Sequence, residues 1–160
     1  MAKVKTVGVE DYLDQIDNLQ SNASEVVGKM IYKGAGIVAD EVRRRIQMIP
    51  ERDVYSTSNG HRHNRGITDA ERQGLLDSLG ISKARNDSGF VNVRIGFDGY
   101  NSNVTKAYPQ GHPNSMVARS IESGTSWLAK TPFIAPAVSA TKGTAESAME
   151  KIYDNGIKKK

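Results

Sequence analysis

Between Ala23 and Ile49 the apolar residues Val27, Met30, Ile31, Val38, Val42, Ile46 and Ile49 recur at helical spacing, and Pro50 closes the run. Glu25, Lys29, Lys33, Asp40, Glu41 and the arginines Arg43, Arg44 and Arg45 fall elsewhere on the wheel, so the stretch predicts the main helix of the fold, ended by Pro50. Gly34-Ala35-Gly36 sits in its middle, where each glycine costs roughly 1 kcal/mol relative to alanine. Close approach of another backbone would explain the pair, with a tolerated soft spot as the plainer alternative. Upstream, Leu13, Ile16 and Leu19 predict a separate short helix over Val9–Leu19, with acids near its start, and Ser21 or Asn22 offers a cap for the next element.

Downstream the pattern changes. Residues 51–73 carry few apolar positions and two turn-forming pairs, Asn59-Gly60 and Arg65-Gly66, so a long polar loop is expected. Thr68-Asp69-Ala70-Glu71 resembles a helix start, with Leu75, Leu76 and Leu79 on its apolar side. Val91, Val93, Ile95 and Phe97 alternate with Asn92, Arg94 and Gly96, and Asn86-Asp87-Ser88-Gly89 is turn chemistry, which together predict a β-hairpin over 79–97. Residues 98–113 read as another loop with an extended piece near Val104–Tyr108. Asn114 or Ser115 is expected to cap a short helix burying Val117 and Ile121. Pro136 suits the first turn of a last helix, whose stripe is Val138, Ala145, Ala148, Met149 and Ile152. The expected class is α+β: an antiparallel β-sheet with a long N-terminal-half helix, a C-terminal helix packed on it and long polar loops. A single domain over 1–160 is expected, with 157–160 as a basic tail.

The chain has no cysteine, so packing must hold the fold and a reducing assembly compartment is the simplest expectation. No stretch is apolar enough to suggest a membrane span or signal peptide. Lys and Arg number 22 against 18 Asp and Glu, a mild excess gathered in Arg43–Arg45, Arg62–Arg65 and Lys158–Lys160. One alternative function is therefore a small basic nucleic-acid-binding module.

Signatures of chemistry are weak. His61 and His63 have metal-like spacing, but the cationic neighbours Arg62 and Arg65 oppose it. Ser78, His61 and Asp77 contain the letters of a triad without a nucleophile elbow, and Glu122 with Glu41 is a carboxylate pair only if folding joins them. No phosphate-loop motif occurs, and no cofactor is implied. Tyr100 and Tyr108, beside Lys106, suit a protein interface better than base stacking.

Three segments carry a resemblance: Gly74-Leu75-Leu76-Asp77-Ser78-Leu79 before the hairpin, Glu122-x-Gly124-Thr125, and Pro132-Phe133-x-x-Pro136-Ala137. In their order over nearly the whole chain they resemble the neck, head-tail joining or tail-completion proteins of tailed bacteriophages. The resemblance implies a non-enzymatic virion component that assembles in the bacterial cytoplasm into a ring, expected to be hexameric. Its implied neighbours are a head-closure or connector protein on one side and the tail tube or tail terminator on the other, with viral DNA passing through the lumen. Two departures stand out: residues 51–73 are longer than the usual link, and Trp127 places a bulky aromatic in the turn. Glu122, Gly124, Thr125, Pro132, Phe133 and Pro136 are expected to form a rigid joint, with a positive φ at Gly124 and Phe133 plugged into the core. Candidate interface residues are Trp127, Tyr55, His61, Arg62, His63, Tyr100 and Tyr108.

Overall fold

A computed structural model describes residues 9–56 and 62–157, with side chains over 23–55 and 63–156. The expected terminal lysines and His61 lie outside the described residues, as does the Arg62 side chain.

The first element is one continuous helix, α1 (Val9–Met48), of 40 residues, about 60 Å long by the rise per residue of an α-helix. The expected break at Ser21-Asn22 does not occur: both residues lie inside the helix. Weak preferences for a cap do not stop a helix whose hydrogen-bond ladder can continue. At its other end Pro50 does stop it. Arg72 donates to the carbonyls of Ile46 at 2.8 Å and Gln47 at 3.2 Å, satisfying acceptors that the helix end leaves open.

Residues 51–73 are not loop throughout. Asp53–Ser56 (β1) pairs antiparallel with Arg62–Arg65 (β2), Tyr55 opposite His63. The polar ribbon has no buried face of its own, which is why alternation failed to reveal it. It is fastened at its base by Arg52 N–H to Ile67 O and Ile67 N–H to Pro50 O. Helix α2 (Asp69–Ser78) then starts on a complete capping box: Thr68 accepts from the Glu71 amide, and Glu71 accepts from the Thr68 amide. The same buried carboxylate receives Arg52 at 2.6 Å.

The hairpin over 79–97 comes in two ribbons. Leu79–Ile81 (β3) pairs with Ile95–Phe97 (β6), and beyond them Arg85–Asp87 (β4) pairs with Phe90–Asn92 (β5). Three residues, 82–84, separate the ribbons on one strand against two, 93–94, on the other. That extra residue shifts the register by one and interrupts the ladder between the two ribbons. Ile81, Ile95 and Phe97 are partly buried, whereas Phe90 is left 77% exposed. Ser88 and Gly89 make the tip with φ of 55 and 91, the two positive angles that a tight two-residue hairpin turn requires. The strands therefore form three two-stranded antiparallel sheets instead of one.

Helix α3 (Asn114–Ser123) follows the 98–113 loop, in which no strand forms near Val104; Thr105 and Tyr108 exchange backbone hydrogen bonds in a turn instead. Asn114 is not the cap. It is the first helical residue, buried, and its Nδ2 donates to Asp98 O at 3.0 Å. Helix α4 (Ile134–Ile157) runs back along α1, not across a sheet. A Cβ on Gly34 would meet the Met149 side chain, and one on Gly156 would meet Val26, whereas Gly36 faces open space. The expected close approach is thus real at Gly34 alone, and a side chain rather than a backbone makes it. Val42, Ile46, Ile49, Ile67, Leu75, Leu79, Val117, Ala118, Ile121, Phe133 and Ala137 form the core, where α1, α2, α3 and the start of α4 meet.

Candidate interaction surface

The joint between α3 and α4 is built around one carboxylate. Glu122, half-buried at the end of α3, accepts the Phe133 and Ile134 amides at 2.7 and 2.8 Å on one oxygen and the Ala135 amide at 2.9 Å on the other. Pro136, next in line, has no N–H, and Ala137 donates to Phe133 O. Every donor at the start of α4 is thereby accounted for. Burial pushes the Glu122 carboxyl up, but the three amides and the nearby Lys130 charge outweigh it and hold the group below its ordinary value. Gly124 turns the chain at φ 75, where a Cβ would crowd Lys130 and the Leu128 carbonyl. Thr125 closes the turn: its Oγ1 accepts from the Trp127 and Leu128 amides, and its own amide donates to Leu128 O. Phe133 is 2% exposed and meets Phe97 edge-on at 6.1 Å.

This joint is also tied to the β1–β2 ribbon. Asn64 N–H donates to Trp127 O at 2.7 Å, and Ala129 N–H returns to Asn64 O at 2.8 Å. The turn after α3 therefore lies along β2 like a third strand, and it holds Trp127 outward, 69% exposed.

Beside Trp127 lies an open groove of about 450 Å³, lined by side chains that include Tyr108, His112, Met116 and Leu128, with Arg52 and Asn64 at its edges. The Tyr108 and His112 rings meet at a tilt, centroids 4.6 Å apart, and the Tyr108 hydroxyl donates to Met116 Sδ at 3.6 Å. Aromatic and methionine side chains gathered in one concave patch have the composition of an interface centre. His112, Met116 and Leu128 were not singled out from the sequence. A signal existed for Met116 alone: it lies on the face of α3 opposite Val117 and Ile121.

The other candidates scatter. Tyr55 and His63 stack across the β1–β2 ribbon at 6.0 Å, with Arg65 over the Tyr55 ring at 5.9 Å. Tyr100 is exposed beside a second hollow of about 430 Å³, whose lining includes Gln73, Asp77, Asp98, Asn101 and Asn114. At its wall Asn101 Nδ2 and Asn114 Oδ1 are buried without a hydrogen-bond partner. Of the five interface candidates whose side chains are described, the structure brings Trp127 and Tyr108 to one groove.

Among the described residues, the basic candidates Arg43, Arg44, Arg45 and Arg65 have internal partners. Arg43 pairs with Asp40 at 3.0 Å, and Arg44 and Arg45 both hold Glu41, at 2.6 and 2.8 Å. The Arg44 hydrogen bond, opposed by burial and reinforced by Arg45, lowers the Glu41 carboxyl to about 2. Glu41 and Glu122 thus serve separate partners instead of forming an acid–base pair. Ser78 donates to Leu75 O and Asp77 accepts from Gln73, both within α2. Among the described residues no group of three His, Cys, Asp or Glu side chains is placed to hold a metal ion, and no helix is long and apolar enough to cross a membrane. Comparison with known protein families, with characterised proteins and with solved structures finds no match for this chain.

Proposed function

We propose that this chain is a structural virion protein of a tailed bacteriophage, a neck or tail-completion component that forms a ring between the head connector and the tail. The observation that carries this reading is the joint. The two motifs on which the resemblance rests, Glu122-x-Gly124-Thr125 and Pro132-Phe133-x-x-Pro136-Ala137, are one physical unit, with the carboxylate of the first capping the helix opened by the second. A spacing that exists to make one capped joint is less easily matched by chance than two unrelated short motifs. The Trp127 groove supports the reading further, since a ring requires each subunit to present a patch for its neighbour. The ion pairs of Arg43–Arg45 suit a lumen through which DNA must slide, because unpaired arginines would grip phosphates. They count against the nucleic-acid-binding alternative for the same reason.

The test is genetic and visual. A phage encoding this chain with its gene silenced is expected to accumulate filled heads and separate tails under the electron microscope, with joining restored by the gene supplied in trans. Normal infectious virions lacking the chain would overturn the proposal.

A further inference from the structure

We infer that the chain assembles by seating the Phe90 hairpin tip of one copy in the Trp127 groove of the next. This rests on the ring reading above and names the contact that would build the ring. Two observations on separate parts of the molecule make the pair. The first is a knob: Phe90 stands at the tip of the β4–β5 ribbon, 77% exposed, on a turn fixed by the positive φ of Ser88 and Gly89. Strand alternation is what turns it outward, since its neighbour Val91 is half-buried on the other face. A large aromatic side chain left this exposed at a hairpin tip is of the residue type enriched at interface centres.

The second is a hole. The groove of about 450 Å³ beside Trp127, Tyr108, His112 and Met116 has room for an aromatic ring, and its walls offer edge-to-face and sulfur–aromatic partners. None of its lining residues belongs to the hairpin, so knob and hole are different patches. Among the described residues Phe90 and Trp127, at 77% and 69%, are the two most exposed large hydrophobic side chains, so seating one patch against the other removes from water the apolar surface that each leaves open. Because the two patches differ, each copy that receives a hairpin still offers its own, and such head-to-tail contacts close into a ring when the rotation per step divides a circle.

The absence of cysteine gives a direct test. The double variant Asp87→Cys, Ser120→Cys, which places thiols beside the knob and in the groove wall and keeps Phe90 and Met116, is expected, when concentrated and treated with a short thiol-to-thiol cross-linker, to give a ladder of multimers that ends at the ring size. A mixture of the two single variants is expected to stop at dimers. In parallel, Phe90→Ala and Trp127→Ala should each weaken self-association of the otherwise wild-type chain about tenfold or more, the scale of an interface anchor. Both side chains are exposed, so the melting temperature of the dilute monomer should stay where it was. Self-association that is unchanged in both alanine variants and yields no cross-link overturns this contact while leaving the ring reading to the head–tail joining test. A wild-type chain that stays monomeric and un-cross-linked at millimolar concentration overturns the contact outright. Cross-linked dimers alone from the double variant would mean reciprocal exchange in a closed pair, and would overturn the head-to-tail arrangement.

Discussion

Glu122 decides more than any other single residue how the second half of the chain is oriented. Its carboxylate receives three amides at the start of α4, a charge-assisted cap placed at the positive end of the helix dipole. Its proton affinity is lowered on folding, so the stabilisation is complete above the unfolded carboxyl's ordinary value of 4.5 and is lost as pH falls through the lower folded value. Replacing Glu122 with alanine should cost about 2 kcal/mol at neutral pH, the upper end for loss of a cap. Glu122→Gln should cost less and flatten the acid side of the stability curve. Chemical denaturation between neutral pH and pH 3 would check both; an acid limb as steep in Glu122→Gln as in the wild type would reject the role. The position was legible in the sequence only as part of a motif. Gly124, Pro136 and Phe133 announce themselves through backbone rules, but a carboxylate that reaches across a turn to amides eleven to thirteen residues away leaves no local pattern.

At the scale of elements, the seam between α1 and α4 offers a comparison within one helix. Gly34 and Gly36 look equivalent in the sequence, both costing helix propensity. In the fold they differ: a Cβ on Gly34 would meet Met149, whereas one on Gly36 meets nothing within 4 Å. Gly36→Ala should therefore stabilise the protein by roughly 0.5 to 1 kcal/mol. Gly34→Leu should destabilise it by about 2 kcal/mol, because a large side chain has to wedge the two helices apart. Thermal melts of the two variants should move in opposite directions; shifts of the same sign would mean that the helices do not pack through Gly34. The helices themselves were legible because their apolar spacing is written locally and repeats over several turns. The β1–β2 ribbon was not, since its apolar residues Val54 and Tyr55 are adjacent and so fall on opposite faces, and its outer edge is held by Asn64 meeting the turn at Trp127. The β-hairpin was legible in kind and misread in detail. Alternation through Val91, Val93, Ile95 and Phe97 implies one buried face, and a single extra residue on the opposite strand, invisible to that alternation, breaks it in two.

At the scale of the whole molecule, the α+β class follows from local signals, whereas the groove is a product of assembly. Its walls come from Arg52 ahead of β1, β2, the 98–113 loop, α3 and the turn after α3, five segments whose positions the joint at Glu122 and the Asn64 bridge help to fix. Tyr108 and Trp127 could be guessed as exposed aromatics, but nothing in the chain's order says that they face the same hollow, or that Tyr100 does not. What such a surface does to stability supplies the final prediction. If copies bind one another only when folded, association adds to the free energy of unfolding in proportion to the logarithm of concentration. The melting temperature of the wild type should then rise by roughly 3 °C for each tenfold increase in protein concentration once association sets in. In Phe90→Ala the same concentration series should stay flat over the range where the wild type rises, while the low-concentration limits of the two coincide. Differential scanning calorimetry of both proteins would decide it. A flat series for the wild type up to millimolar concentration would mean that the folded chain does not recognise itself, and equal slopes for the two proteins would mean that it does so through a surface other than the hairpin tip.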